Sequence, residues 1–173
     1  PSGTTATFTA TLSAFSASWR HGPGAGLKVN WPTGKPVADS EAMIQTLSQT
    51  PGSLGYVEAA YVGKPLSTAG LASRSGSFLQ PTSRETARAL NTIQLDTRLL
   101  GQNPDPEAGY PIVSLAWILI PRRLDSAKAE ALRTSVNYML SQFGQDNAER
   151  LGYAPLPAAI LTKSKLQVDK IQP

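Results

Sequence analysis

The feature that most constrains the fold is the run Leu115-Ala116-Trp117-Ile118-Leu119-Ile120, six consecutive apolar residues. A helix on a protein surface would break such a run with polar residues every three or four positions. A strand with one solvated face would alternate. A membrane-spanning helix needs roughly 20 apolar residues, far more than this. An unbroken apolar strand suits a position buried on both faces, with helices covering the sheet on each side. Residues 111–120 are therefore predicted to form a central strand, and the chain an α/β layered structure.

The rest of the chain fits that expectation in short pieces. Fourteen glycines and fourteen prolines punctuate 173 residues, so elements should be brief and turns frequent. A first helix is predicted over 3–19, capped by Ser2, with Phe8, Leu12, Phe15 and Trp19 on one face. Its many threonines oppose helix formation, so packing of the aromatic face must compensate. Short strands are predicted at 27–31 and 53–57, and one or two more within 65–80 around a turn at Ser75-Gly76. A helix over 37–49 would be capped by Asp39 or Ser40 and bury Met43, Ile44 and Leu47. A helical turn follows around Glu58-Ala59-Ala60-Tyr61. A helix over 83–99 would turn Ala87, Leu90, Ile93 and Leu100 inward. A long helix from Asp125 or Ser126 to Phe143 carries Leu132, Val136, Met139, Leu140 and Phe143, and residues 145–151 extend or repeat it. The loop Tyr153-Ala154-Pro155-Leu156-Pro157 precedes a last helix over 158–171.

Composition narrows the function. At 40% hydrophobic and 16% charged, the chain can build a core and is not disordered. Its net charge of +4 is spread over Arg20, Lys28, Lys35, Lys64, Arg74, Arg84 and Arg88. Only Arg122-Arg123 and Lys163, Lys165 and Lys170 cluster. A nucleic-acid surface would gather cations into a stripe interleaved with aromatics, so that class is set aside. A mildly basic balance suits an anionic small ligand as well as simple solubility. The absence of cysteine excludes disulfides, thiolate nucleophiles and cysteine metal sites. Pro1 is not an initiator methionine, so the chain is expected to begin inside a longer sequence, with any targeting signal upstream.

Few residues are arranged for chemistry. His21, the single histidine, lies in His21-Gly22-Pro23-Gly24 and reads as an exposed loop residue. No Gly-x-Ser-x-Gly elbow accompanies it. Gly24-Ala25-Gly26 lacks a third glycine and precedes a strand, so it is no dinucleotide fingerprint. No pair of carboxylates has metal or glycosidase spacing. Glu58, directly after a predicted buried strand, is the unusual one. It either lines a cleft or plays a structural, hinge-side part. The motif with the most direct physics is Ser2-Gly3-Thr4-Thr5 at a helix start. The first four N–H groups of a helix lack internal partners and carry the positive end of its dipole. An oxyanion there accepts several N–H bonds at once. Hydroxyls add donors, and Gly3 leaves room for close approach. The same residues also make an ordinary helix cap.

The context of that motif resembles the phosphate-binding component of bacterial phosphate ABC transporters. Ser2-Gly3-Thr4-Thr5 precedes an aromatic-rich helix ending at Trp19. Val29-Asn30-Trp31-Pro32 is similar to the family's Val-Lys-Trp-Pro strand. Gln49-Thr50-Pro51-Gly52-Ser53-Leu54-Gly55-Tyr56-Val57-Glu58 is similar to its most recognisable stretch. Tyr110-Pro111-Ile112 and Leu151-Gly152-Tyr153-Ala154-Pro155-Leu156-Pro157 follow in the family's order. The loop Thr33-Gly34-Lys35-Pro36-Val37-Ala38-Asp39 departs from it, being shorter and proline-stiffened where the family has a Gly-Lys-Gly-Asn-rich turn.

The resemblance implies a periplasmic-binding-protein-like (type II) two-lobed α/β fold, incomplete in this chain. Residues 1–110 would form most of the second lobe. Residues 111–173 would form a hinge strand and the C-terminal part of the first lobe. It implies inorganic phosphate bound by Ser2, Gly3 and Thr4: hydroxyl bonds from Ser2 and Thr4, backbone N–H bonds from Gly3 and Thr4. An arginine, and an aspartate that accepts the phosphate's proton, would come from a missing N-terminal segment of the same protein. It implies no catalysis, no cofactor and no metal, a periplasmic or extracellular location, cell-surface anchoring included, and permease subunits as partners. The alternative is a sensor or interaction module reusing the fold without a transport role. A first-lobe remnant is further expected to expose apolar surface, and so to associate or take a partner chain.

Overall fold

A computed structural model describes residues 1–121 and 123–172. Arg122 and Pro173 lie outside the described residues, so the Arg122-Arg123 pair is not considered further. The described chain is dominated by helices: α1 (Gly3–Phe15), α2 (Ala17–His21), α3 (Ser40–Gln49), α4 (Ser83–Leu90), α5 (Ser126–Met139), α6 (Gln142–Arg150) and α7 (Ala158–Val168), with a 3₁₀ turn at Ala59–Tyr61. The sheet among them is a two-stranded antiparallel hairpin, β1 (Leu71–Ala72) and β2 (Phe78–Leu79), pairing Leu71 with Leu79 and Ala72 with Phe78.

The helix starts at Ser2, Asp39 and Asp125 stand as expected because capping is local, and Thr82 and Ser141 cap two more. Ser2, Asp39, Thr82, Asp125 and Ser141 each accept a backbone N–H from three residues on. The hairpin forms around the expected turn. Gly76 takes φ +79, and Ser73 and Ser77 close the loop through a 2.9 Å backbone bond.

Helix lengths differ from expectation where a side chain competes for the backbone. The single helix expected over 3–19 breaks at Ser16, which is extended (φ −129, ψ 115) and caps α2 by accepting from Trp19 N at 3.1 Å. Thr9 and Thr11, not the aromatics, are the buried residues of α1, and Phe15 is exposed. Their hydroxyls are satisfied by donating to carbonyls one turn back, Thr9 to Thr5 O at 2.7 Å and Thr11 to Thr7 O at 3.2 Å. The helix expected over 83–99 stops at Leu90. Beyond it, Asp96 captures the N–H groups of Arg98 and Leu100, both at 2.8 Å, and winds a loop that leaves Leu100 exposed. The long helix expected to reach Phe143 ends at Met139, and Ser141 caps a separate α6. Leu140 is buried there, while Met139 and Phe143 are exposed.

Strands at 27–31, 53–57 and 111–120 are not formed. None of these segments has a ladder partner among the described residues, and a strand without a neighbour leaves its N–H and C=O groups to solvent. The apolar run is correspondingly open: Ile118 is 57% and Leu119 87% exposed, and Trp117 is tied by an indole N–H bond to Leu99 O at 2.6 Å. Leu54 in the second segment is also fully outward.

The C-terminal core gathers Ala129 of α5, Leu140, Val168 of α7 and Ile171, with Ile120, Leu124, Val136, Leu156 and Leu161 packed against it. Gln145 of α6 reaches across to accept Leu156 N at 2.7 Å, fixing the proline loop before α7. Leu90, Ile93, Pro157 and Ile160 line one depression, which brings the end of α4 beside the start of α7.

Candidate functional site

Ser2, Gly3 and Thr4 lie together at the N-terminus of α1. Ser2 is extended (φ −142, ψ 133), and its hydroxyl oxygen accepts from Thr5 N at 3.3 Å. Its carbonyl accepts from Ala6 N at 3.1 Å. That leaves the N–H groups of Gly3 and Thr4 without a protein acceptor among the described residues, as helix geometry requires. Nothing stands within 4 Å of where a Cβ on Gly3 would be, so space in front of these donors is open. The hydroxyl proton of Ser2 is not used by the Thr5 bond and remains available.

The helix start is held from two sides. On one, Ser2 N donates to Leu27 O at 2.9 Å, and Gly26 N donates to the buried Thr9 hydroxyl at 3.1 Å, so the 24–28 loop is laced along α1. On the other, Thr5 Oγ1 and the Tyr56 hydroxyl share a 2.8 Å bond. Below it the Phe8 and Tyr56 rings stack at 4.4 Å with an 8° interplanar angle. Trp31 joins Tyr56 at 5.7 Å, and Trp19 joins Trp31 at 5.4 Å. Offset aromatic contacts of this kind add directional packing to the area they bury. The cluster draws α1, residue 31 and residues 53–58 into one unit.

That unit delivers Glu58 to the site. Thr4 Oγ1 donates to Glu58 Oε1, and Ser40 Oγ, in the first turn of α3, donates to Oε2 at 2.8 Å. One half-buried carboxylate thus joins the starts of two helices. Burial pushes the Glu58 carboxyl up. Hydrogen bonds from Thr4, from its own backbone N–H and from Ser40 together outweigh burial and hold it below the usual carboxylate range. It is ionised at neutral pH. Glu58 was singled out in the sequence by its place after 53–57. Its pairing with Thr4, 54 positions away, had no signal in the sequence, and Ser40 was visible only as a possible helix cap.

The back of this turn is also fixed. Gly152, in the left-handed region at φ +84, packs against the backbone of Ala60, two residues beyond Glu58. A Cβ there would lie 2.8 Å from Ala60 Cα. The 151–157 loop, remote in sequence, thereby buttresses the segment that carries Glu58.

Other candidates stand apart. His21 is exposed at the end of α2. Among the described residues no three His, Asp or Glu side chains gather as a metal site. The loop Thr33–Asp39 is exposed over nearly its whole length.

No protein-family model matches the chain. Curated relatives do. It is 33% identical over 162 residues to a phosphate-binding protein PstS of Xylella fastidiosa, covering 90% of this chain and 44% of that protein. It is 30% identical over 172 residues to a protein of the same name from Haemophilus influenzae, covering 96% of this chain and 51% of the relative. A third, from Methanocaldococcus jannaschii, is 29% identical over 178 residues, with 90% of this chain and 46% of the relative covered. The chain spans about half the length of the curated relatives it matches.

Proposed function

We propose that this chain supplies one part of an inorganic-phosphate site in the substrate-binding component of an ABC-type phosphate uptake system. The observation that carries the proposal is the start of α1: two N–H groups, of Gly3 and Thr4, without a partner among the described residues, an available hydroxyl at Ser2, and open space before them. A helix N-terminus with free donors is a general oxyanion acceptor. The similarity to proteins named for phosphate binding supplies the anion's identity. Binding without catalysis is part of the proposal, in keeping with relatives named as binding proteins.

In this proposal the remaining donors come from a segment outside these residues, in keeping with relatives about twice as long. The periplasmic-binding-protein-like two-lobed arrangement, divided near residue 110, belongs to the same proposal. So does a periplasmic or extracellular location. Among the described residues no helix is long and apolar enough to cross a membrane. The exposed face at Trp117, Ile118 and Leu119 would receive the complementary segment, and permease subunits would meet the assembled protein.

The test is calorimetric titration with phosphate and sulfate, on the 173-residue chain and on the longest gene product that contains it. The chain alone should bind phosphate at about millimolar strength or weaker, because an incomplete donor set cannot offset the cost of fixing the ligand. The longer product should bind orders of magnitude more tightly. There Ser2→Ala should weaken phosphate by roughly tenfold, the loss of one charge-assisted bond. A longer product that binds neither anion ends the transport proposal.

A further inference from the structure

Two tryptophans tie an indole N–H group to the carbonyl of a left-handed residue. Trp19 donates to Gly24 O at 2.8 Å, and Gly24 takes φ +70. Trp117 donates to Leu99 O at 2.6 Å, and Leu99 takes φ +62. Glycine adopts that conformation freely. Leucine does not, because its Cβ crowds the following carbonyl oxygen. Among the described residues, Leu99 is the one residue other than glycine in this region. The loop that imposes the conformation is wound on Asp96. One carboxylate oxygen accepts from Arg98 N and Leu100 N, both at 2.8 Å. Asp96 N donates to Leu100 O at 2.9 Å, and Leu99 N to Asp96 O at 3.1 Å. Gly101 follows where a Cβ would collide with Gln94 O. The winding presents Leu99 O to Trp117, 18 positions along the chain.

The left-handed leucine opposes the wound loop by roughly 5–30-fold in the equilibrium between wound and unwound forms. Water competes for the exposed Asp96 carboxylate and weakens what its bonds return. The Trp117 bond adds about two- to tenfold, the net weight of one hydrogen bond. Strain and bonding are thus of similar size, and loss of either the winding or the indole tips the balance. We propose that Leu99 and Trp117 form a strained latch on the 111–120 segment, a strap closed weakly enough to open on its own. Closed, it draws the middle of the segment against the 96–100 loop. Open, Leu99 relaxes to negative φ and Trp117 leaves with the segment. The segment is one that has to be released to be covered. Ile118 and Leu119 are exposed, and no ladder partner reaches them among the described residues. Its unpaired N–H and C=O groups can be met only by a strand that lies alongside. A permanent tie would hold the segment in its unpaired position, whereas a strained one parks it and yields. The Trp19 tie shows the contrast. It fastens a loop that the Thr9–Gly26 bond already fixes, and there the acceptor is glycine.

The experiment is nitrogen-15 NMR of the 173-residue chain, reading how fast each indole N–H exchanges with water, with Trp117→Phe to assign the Trp117 signal. In the unaltered chain the Trp117 indole should exchange faster than that of Trp19. Leu99→Gly removes the strain and should slow Trp117 exchange by roughly threefold, after the extra freedom a glycine has in the open loop is taken off. Asp96→Ala unwinds the loop and should raise Trp117 exchange to that of an unbonded indole. Trp19, tied to Gly24, should keep its rate in both variants. Exchange at Trp117 as slow as at Trp19 in the unaltered chain would mean a permanent tie and overturn the proposal. So would an unmoved or faster Trp117 rate in Leu99→Gly, since the leucine would then impose no strain. An unmoved Trp117 rate in Asp96→Ala would overturn the part given to the wound loop, and a parallel change at Trp19 would reveal general loosening in place of a latch. No phosphate enters these measurements, so their outcome stands apart from that of the phosphate titrations.

Discussion

Gly152→Ala is the substitution whose cost can be worked out in separate parts. Gly152 ends α6 in a Schellman arrangement: Tyr153 N donates to Ala148 O and Gly152 N to Glu149 O, both at 3.0 Å. That motif places the residue at φ +84, and an L side chain there costs roughly 1–2 kcal/mol. The second part is steric. The new Cβ would meet Ala60 Cα at 2.8 Å and Ala60 Cβ at 3.2 Å, and the first of these is backbone that cannot rotate away. Forcing an extra carbon into such a contact costs typically about 1–3 kcal/mol. Together they give about 2–5 kcal/mol. Gly52 separates the two parts, since it has φ +77 with nothing within 4 Å of its Cβ position. Gly52→Ala should therefore cost only the conformational part, about 1–2 kcal/mol. Urea unfolding followed by circular dichroism reads both, and with a slope of roughly 2 kcal/mol per molar the Gly152 midpoint should fall by about 1–2.5 M. Equal costs for the two variants would refute the packing of Gly152 on Ala60. A further consequence is functional: moving Ala60 moves Glu58, so phosphate binding should weaken in Gly152→Ala and not in Gly52→Ala.

Other outcomes follow from single contacts. Thr9→Val keeps the shape of a fully buried residue but strands the Gly26 N–H it accepts, and should destabilise by about 1–3 kcal/mol in the same unfolding assay. Leu140→Ala should cost about 2–5 kcal/mol because Leu140 belongs to the C-terminal core. Phe143→Ala, at an exposed position, should stay within about 0.5 kcal/mol. Glu58 is held below its ordinary value in the folded state, so the unfolded chain binds its proton first. Its contribution is full above the ordinary carboxylate range of about 4.3 and fades as pH falls through the lower folded value. Carbon-13 NMR of the Glu58 carboxyl should show the midpoint rising in Thr4→Val, and an unmoved midpoint would contradict the Thr4–Glu58 bond.

What the sequence made legible was local. The caps at Ser2, Asp39 and Asp125 and the turn at Ser75-Gly76 depend on residues within four positions, and each stands as expected. The breaks at Ser16, Leu90 and Ser141 were missed because periodicity continues across them, while a capping side chain or Asp96 offers the backbone a better local partner. The strands at 27–31, 53–57 and 111–120 were read from apolar patterning alone. Patterning states that a segment can be buried, but a ladder needs a second strand at the right register, and these described residues provide none. The start of the candidate site at Ser2-Gly3-Thr4 was visible, since helix-end chemistry is a short-range matter. Its coupling to Glu58 and Ser40 was not, because it depends on how the Phe8, Tyr56 and Trp31 rings bring distant segments together.

That aromatic group has an optical consequence. Trp31 and Trp19 lie 5.4 Å apart, and Trp31 is in ring contact with Tyr56, whose hydroxyl is bonded one residue from Thr4. Chromophores this close couple their transitions, so the near-ultraviolet dichroism of the protein should be dominated by the wall of the site. Trp117, tied to Leu99 in another part of the chain, contributes a separate signal. Replacing it with phenylalanine would leave two indoles, both within the cluster that holds α1 in place. Their emission would then report movement of the helix start without any added label.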